Sequence, residues 1–241
     1  RLLEAGRTVH LIAVEIDLAT ARLLRAALAA VSAGIPRFTF EVVVDDFLTW
    51  AGKRAQQFFV DLVVSNPPYF KMSPSSGPGS DAPNAYARFM EASADLLRLG
   101  GRMAFIVPRS FMSGFYFRRF RERLHQRLNL ERVHAFASRT KPFRGQVLQE
   151  TVIVQYRRGP LEPVVHVSSS ASAEGLVDAT SIHVNRQRIV GDVIRLPLSQ
   201  SDVSLLERLE NWPNTLDSLG LKISTGPVVP YRNKSALVDG P

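Results

Sequence analysis

The sequence contains no cysteine. That absence removes disulfide scaffolds, thiolate zinc sites, iron–sulfur clusters and every mechanism built on a cysteine nucleophile. No apolar run approaches the roughly 18–20 residues that a membrane-crossing helix needs, so no membrane partner is expected. The opening residues, RLLEAGRTVHL, lack the basic, then apolar, then small-residue layout of a secretory signal. No metal site is expected.

Acidic residues are scarce where basic ones concentrate. The net charge is +8, and residues 98–144 hold twelve of the thirty lysines and arginines but two of the twenty-two acids, Glu122 and Glu131. That stretch is +10 and everything else sums to −2. Such segregation points to a polyanionic partner, with a solvated basic helix face as the plainer alternative. Arg118, Arg119, Arg121 and Arg123 are the expected phosphate contacts.

The pattern alternates strands with helices. Strands are predicted at His10–Ile16, Phe38–Val44, Val60–Ser65, Arg102–Val107, Arg132–Ala137 and Gln149–Tyr156. Helices are predicted at Leu18–Ala33, Asn84–Arg98 and Tyr116–Leu128, and a Ser/Pro/Gly-rich loop at Lys71–Pro83. Near-continuous apolar strands separated by helices imply an α/β architecture. The sheet should be mostly parallel, with helices on both faces and an antiparallel strand at one edge. Composition changes after Gly159-Pro160, so residues 1–158 are taken as one domain, 159–215 as a connector and 216–241 as the start of another domain.

In open α/β sheets, ligands bind at the carboxyl ends of the strands. Three successive strand ends here carry polar groups: Glu15, then Asp46, then Asn66-Pro67-Pro68-Tyr69. Glu15, with Asp17 as competitor, could accept hydrogen bonds from ribose hydroxyls, or could cap the helix that follows. Asp46 could accept from an adenine amino group or serve as an N-cap. Pro67 and Pro68 remove two backbone donors, leaving carbonyl acceptors beside the Asn66 amide and the flat Tyr69 ring. This set suits a planar substrate bearing an exocyclic amine.

VDLVVSNPPY resembles the catalytic motif of S-adenosylmethionine-dependent amino-group methyltransferases. Residues 10–158 are similar to adenine-N6 DNA methyltransferases of restriction–modification systems, in the order that places cofactor motifs first. The resemblance implies a Rossmann-like methyltransferase fold with a C-terminal extension, an S-adenosylmethionine cofactor, a double-stranded DNA substrate and cytoplasmic work beside a cognate restriction endonuclease, fused or separate. It implies Glu15 for the cofactor ribose, Asp46 and Phe47 around the cofactor adenine, and Asn66 beside the cofactor. Asn66 and the Pro67 carbonyl would accept from the target amine, and Pro68 completes the catalytic turn. Tyr69 would stack on the flipped base, with Phe143 as a second aromatic. The Tyr69 hydroxyl has no role on this reading.

The resemblance also implies a first strand with a glycine-rich loop, FxGxG-like, expected just before residue 1. The chain is accordingly expected to be a partial catalytic domain, inactive alone, and LKISTGPVVPYRNK resembles the opening of a target-recognition domain. Release-factor glutamine methylation, RNA adenine methylation and a non-catalytic DNA-binding fragment stay as alternatives. Cytosine C5 methylation is excluded by the missing cysteine.

Overall fold

The computed structural model describes residues 6–72, 84–136, 150–172, 174–176 and 178–222. The chain divides into two compact units, residues 1–200 and 201–241. Of the second, the described part is most of the helix α6 (Gln200–Glu210) and the turns up to Lys222.

The first unit opens with β1 (Val9–Glu15), α1 (Leu18–Ser32), β2 (Phe38–Val44) and α2 (Phe47–Gly52). β1 and β2 pair in parallel, from Val9 opposite Phe38 to Glu15 opposite Val44. Each helix starts at an aspartate that accepts a first-turn amide: Asp17 from Thr20 N at 2.7 Å and Asp46 from Thr49 N at 2.8 Å. These caps satisfy donors that the helix itself leaves without partners.

β3 (Val60–Ser65), α3 (Ala85–Leu96), β4 (Leu97–Pro108), α4 (Arg118–Arg127), β5 (Asn129–Phe136) and β6 (Thr151–Arg157) follow. Then come β7 (Val164–Ser170), β8 (Ser181–Asn185) and the short α5 (Arg186–Ile189). The six strands β3 to β8 form one sheet in the order β3-β4-β6-β5-β7-β8. β3 and β4 are parallel, as are β5 and β7, whereas β6 is antiparallel to both of its neighbours and β8 to β7.

β5 and β6 pair antiparallel, but β6, the strand expected at an edge, lies inside the sheet between β4 and β5. The antiparallel strand at the edge is β8. The sheet therefore continues past Gly159-Pro160, where the composition changes. Strand β4 begins before the expected Arg102, and Gly100-Gly101 sits within it at a bulge, with Val60 opposite Leu97 and Leu62 opposite Arg102. Gly100 has φ +83°, and a Cβ on Gly101 would stand 2.9 Å from the Val60 carbonyl, so both positions need glycine.

Strand alternation sorts the six-stranded sheet into a dry face and a wet one. Met103, Phe105, Val107, Val133, Val152, Val154, Tyr156, Val165 and Val167 are buried on the dry face, as are Tyr86 and Met90 of α3 and Phe120 and Leu124 of α4. Each large side chain fully buried there contributes about 1.5–3 kcal/mol. The opposite face carries Arg102, Gln155 and His166, with the carboxylate of Glu131 bound by Arg102 at 2.8 Å and by Gln155 at 2.7 Å.

A second apolar cluster joins the two sheets. Trp50, Ala51 and Leu96 are buried at its centre, with Ile12, Val14, Val43, Phe47, Val60 and Ala92 packed around them. It draws on β1, β2, α2, β3 and α3, and so holds the first two strands against the third.

Candidate active site

The carboxyl end of β1 is locally ordered by two acids with separate tasks. Asp17 is committed to capping α1, and hydrogen bonds from Thr20 hold its carboxyl below the usual carboxylate range. Glu15 is not the cap. Its Oε1 accepts from the Asp17 amide at 2.9 Å, which fixes the side chain at the strand end. The Asp45 amide donates to the Glu15 carbonyl at 3.2 Å, joining the ends of β1 and β2.

At the end of β2, Asp45 and Asp46 also divide the work. Asp45 accepts from the Asp46 amide at 2.9 Å and forms an ion pair with Lys53 at 3.3 Å. Asp46 is the N-cap of α2. Phe47 points into the apolar cluster, with ring centroids 6.3 Å from Trp50 and 4.8 Å from Phe89. Any contact of Phe47 with a bound adenine would come from the part of the ring left uncovered by those neighbours.

β3 ends at Ser65, opposite Phe105 of β4, and the motif turns immediately. Pro67 is buried, Asn66 and Pro68 are exposed and Tyr69 is half-buried. The Tyr69 hydroxyl lies 3.0 Å from Asn66 Oδ1 and 3.0 Å from the Ile106 carbonyl. Burial pushes its pKa up to about 12, so it remains a donor at neutral pH. The hydroxyl thus links the Asn66 amide to β4, giving its one proton to one of the two oxygens at a time, a role absent from the sequence-based expectation. The Tyr69 ring meets Tyr86 edge-on at 6.2 Å.

No hydrogen bond among the described residues joins Asn66 to Glu15 or Asp46. The candidate site consists of two halves, one on β1 and β2 and one on β3 and β4, held by the shared cluster around Trp50. Phe143 lies outside the described residues, as do most of the loop expected at 71–83 and residues 223–241.

The basic segment is less uniform than its sequence. Arg121 is buried, 3% exposed, and turned inward. It donates to the carbonyls of Phe111 at 2.9 Å, Gly114 at 2.8 Å and Asp192 at 2.9 and 2.6 Å. The expectation that it contacts phosphate is therefore corrected: its donors are consumed by main-chain acceptors. Arg123 pairs with Glu91 at 2.8 Å. Arg118 is exposed and pairs with Glu122 at 3.1 Å across one helical turn, and Arg119 is exposed beside it. Among the described residues no group of three or more His, Asp or Glu is placed to hold a metal, and no helix is long and apolar enough to cross a membrane.

Residues 37–143 match the Eco57I restriction-modification methylase family. The chain is 31% identical over 223 residues to the type II methyltransferase M.BsuBI of Bacillus subtilis, covering 83% of this chain and 44% of that protein. It is 29% identical over 187 residues to the type II methyltransferase M.PstI of Providencia stuartii, covering 72% of this chain and 37% of that one. The chain thus spans less than half the length of these curated relatives.

Among solved structures, a modification subunit of a putative type I restriction enzyme from Vibrio vulnificus superposes with a TM-score of 0.58 at 14% identity, over 83% of this chain and 49% of that one. A putative class I S-adenosylmethionine-dependent methyltransferase from Listeria monocytogenes gives 0.53 at 18% identity, over 71% and 52%. The fold is that of the class I S-adenosylmethionine-dependent methyltransferases, and in sequence the chain is similar to restriction–modification methylases.

Proposed function

We propose that the protein carrying this chain methylates adenine N6 in double-stranded DNA as the modification activity of a restriction–modification system. The observation that carries this reading is the turn Asn66–Tyr69 at the end of β3. There, the exposed Asn66 amide, whose oxygen lies 3.0 Å from the Tyr69 hydroxyl, is followed by two prolines that carry no backbone N–H.

The target N6 lies inside the base stack of duplex DNA, so the base must leave the helix before it can react. Asn66 Oδ1 and the Pro67 carbonyl then accept from the amine, orienting its lone pair away from them. As positive charge develops on nitrogen, the same two acceptors stabilise it without having to reorganise. The Tyr69 ring supplies a face on which the extruded base stacks.

The residues present fit S-adenosylmethionine. Glu15 would hold the ribose hydroxyls, while Asp46 and Phe47, with Asn66 nearby, would border the adenine. Bound there, S-adenosylmethionine would supply an electrophilic methyl group. The working enzyme acts on cellular DNA in the cytoplasm and is partnered by an endonuclease, fused or separate.

The test is methylation with a labelled donor in the presence of DNA, followed by digestion to nucleosides. Label in N6-methyladenine is expected. Label transferred to protein or RNA, with none on DNA, would overturn the assignment.

A further inference from the structure

Just after β4, two adjacent aromatic side chains face solvent. Phe115 is 83% exposed and Tyr116 is 85% exposed, the highest values among the large apolar side chains described. Single exposed apolar residues are ordinary, but two neighbours this open form a patch with a use.

The backbone beneath them is firmly held. The buried Arg121 guanidinium spans the Phe111 and Gly114 carbonyls and ties both to Asp192. A Cβ on Gly114 would sit 2.7 Å from the Ser110 carbonyl, so this turn also requires glycine. On the other side Phe117 stacks on Tyr86 at 5.6 Å and meets Phe120 edge-on at 6.4 Å. A buried arginine and a buried phenylalanine therefore bracket two rings that, among the described residues, make no such contacts.

The segment is also connected to the candidate site. Tyr69 contacts Tyr86, Tyr86 contacts Phe117, and Phe117 directly follows Tyr116. Along the sequence no carboxylate lies between Asp95 and Glu122 while Arg109, Arg118 and Arg119 do, and in the fold Arg109 pairs with Glu150 and Arg118 with Glu122 and, at 4.0 Å, with Asp192. Exposed aromatic faces among cations are how proteins hold nucleic-acid bases, by stacking beside an electrostatic track along the backbone.

We propose that Phe115 and Tyr116 form a preorganised aromatic contact to the DNA bases beside the target adenine. This inference rests on the reading of the protein as a DNA methyltransferase. The fixed backbone makes the contact selective for DNA distorted enough to offer a base face, so the pair supports extrusion of the target. Arg118 and Arg119 provide the sequence-independent attraction.

The experiment uses the full-length protein and a duplex of mixed sequence. Changing Phe115 and Tyr116 together to alanine is expected to weaken binding about tenfold or more, the scale of removing one stacked base. The salt slope should stay unchanged because the same phosphates are still neutralised. The swapped pair F115Y/Y116F should bind like the wild type. F115W should show tryptophan quenching on DNA addition beyond that of the wild type, which has Trp50 and Trp212.

Wild-type affinity and methylation in the double alanine variant would overturn the inference while leaving the enzyme assignment intact. So would a loss that tracks a lowered melting temperature and is not restored by the swap, which would assign the rings to the fold. Normal DNA binding with loss of a protein partner would assign the patch to that partner instead. A wild-type protein that neither binds DNA nor methylates adenine would remove the enzyme assignment and this inference together.

Discussion

A tyrosine hydroxyl has one proton, and at Tyr69 two oxygens compete for it, Asn66 Oδ1 and the Ile106 carbonyl. Substitutions at the motif should therefore fall into three grades. Asn66→Ala removes the acceptor and should slow methyl transfer by about 10²–10³, while DNA affinity, dominated by phosphates, barely changes. Tyr69→Phe keeps the ring but releases the amide. One net hydrogen bond is worth about 0.5–1.5 kcal/mol, so a loss of up to about tenfold in single-turnover rate is expected. Tyr69→Ala also removes the stacking face, worth about 1–3 kcal/mol per base, and should lower both rate and extrusion. Extrusion is read from the fluorescence of 2-aminopurine at the target position. Equal rates for the wild type and Tyr69→Phe would show that the tether does not position Asn66.

The motif residues were legible in the sequence because their chemistry is local. Asn, two prolines and Tyr at a strand end carry their acceptors and ring with them. The hydroxyl tether was not legible, since its second acceptor lies 37 residues away on a neighbouring strand. The choice between Glu15 and Asp17 was also open in the sequence. It rests on a cap geometry that either acid could have adopted, and the structure gives the cap to Asp17.

At the scale of elements, α4 shows why charge counting overstates a binding surface. Its arginines point in several directions, and the apolar positions Phe120 and Leu124 carry Arg121 inward with them. Neutralising Arg118 and Arg119 together should lower the salt slope of DNA binding, by up to about 0.9 log units for each phosphate no longer neutralised. Arg121→Met should leave that slope alone and instead destabilise the protein by about 2–4 kcal/mol, since it leaves main-chain carbonyls without donors. Chemical denaturation and salt titration of the same variants separate the two effects.

The same helix carries a pH response. Burial, reinforced by the nearby Arg186 and Arg121, pushes His125 down to about 4 from its ordinary 6.5. The unfolded chain therefore takes up this proton before the folded one does. The contribution is fully present above about pH 6.5 and is lost as pH falls toward 4, on the order of 3 kcal/mol in total. His134 and His166, also lowered by burial, act in the same direction. Denaturation midpoints should fall between pH 7 and pH 4.5, and His125→Gln should flatten part of that fall.

Strands β7 and β8 were not legible in the sequence, although Val165 and Val167 alternate with His166 and Ser168. Half of each strand is polar because it lines the wet face of the sheet. Ser-rich strands of this kind carry little apolar signal.

At the scale of the whole molecule, the strand order shows where the fold is open. β1 pairs with β2 and β3 pairs with β4, and among the described residues no strand pairs with the other edge of β1 or of β3. Side chains along these edges are exposed, with Leu11 at 37%, Leu62 at 47% and Val64 at 74%. The edges of β1 and β3 are thus unpaired among the described residues, and unpaired edges of this kind are prone to wrong pairing. We propose that a further strand covers these edges in the working protein, followed by a turn that brings main-chain amides to the amino-acid end of the cofactor. On the proposed reading, Glu15 and Asp46 would serve only the nucleoside part. The 241-residue chain by itself should therefore bind S-adenosylmethionine at least about 100-fold more weakly than the full-length protein, as the loss of a few charge-assisted hydrogen bonds requires. It should also self-associate, as measured by light scattering, in conditions where the full-length protein does not. Calorimetry is the decisive measurement. Micromolar binding by the isolated chain would mean that the two acidic strand ends and the Asn66 turn already make a complete cofactor site, and that no further strand along β1 and β3 is needed for it.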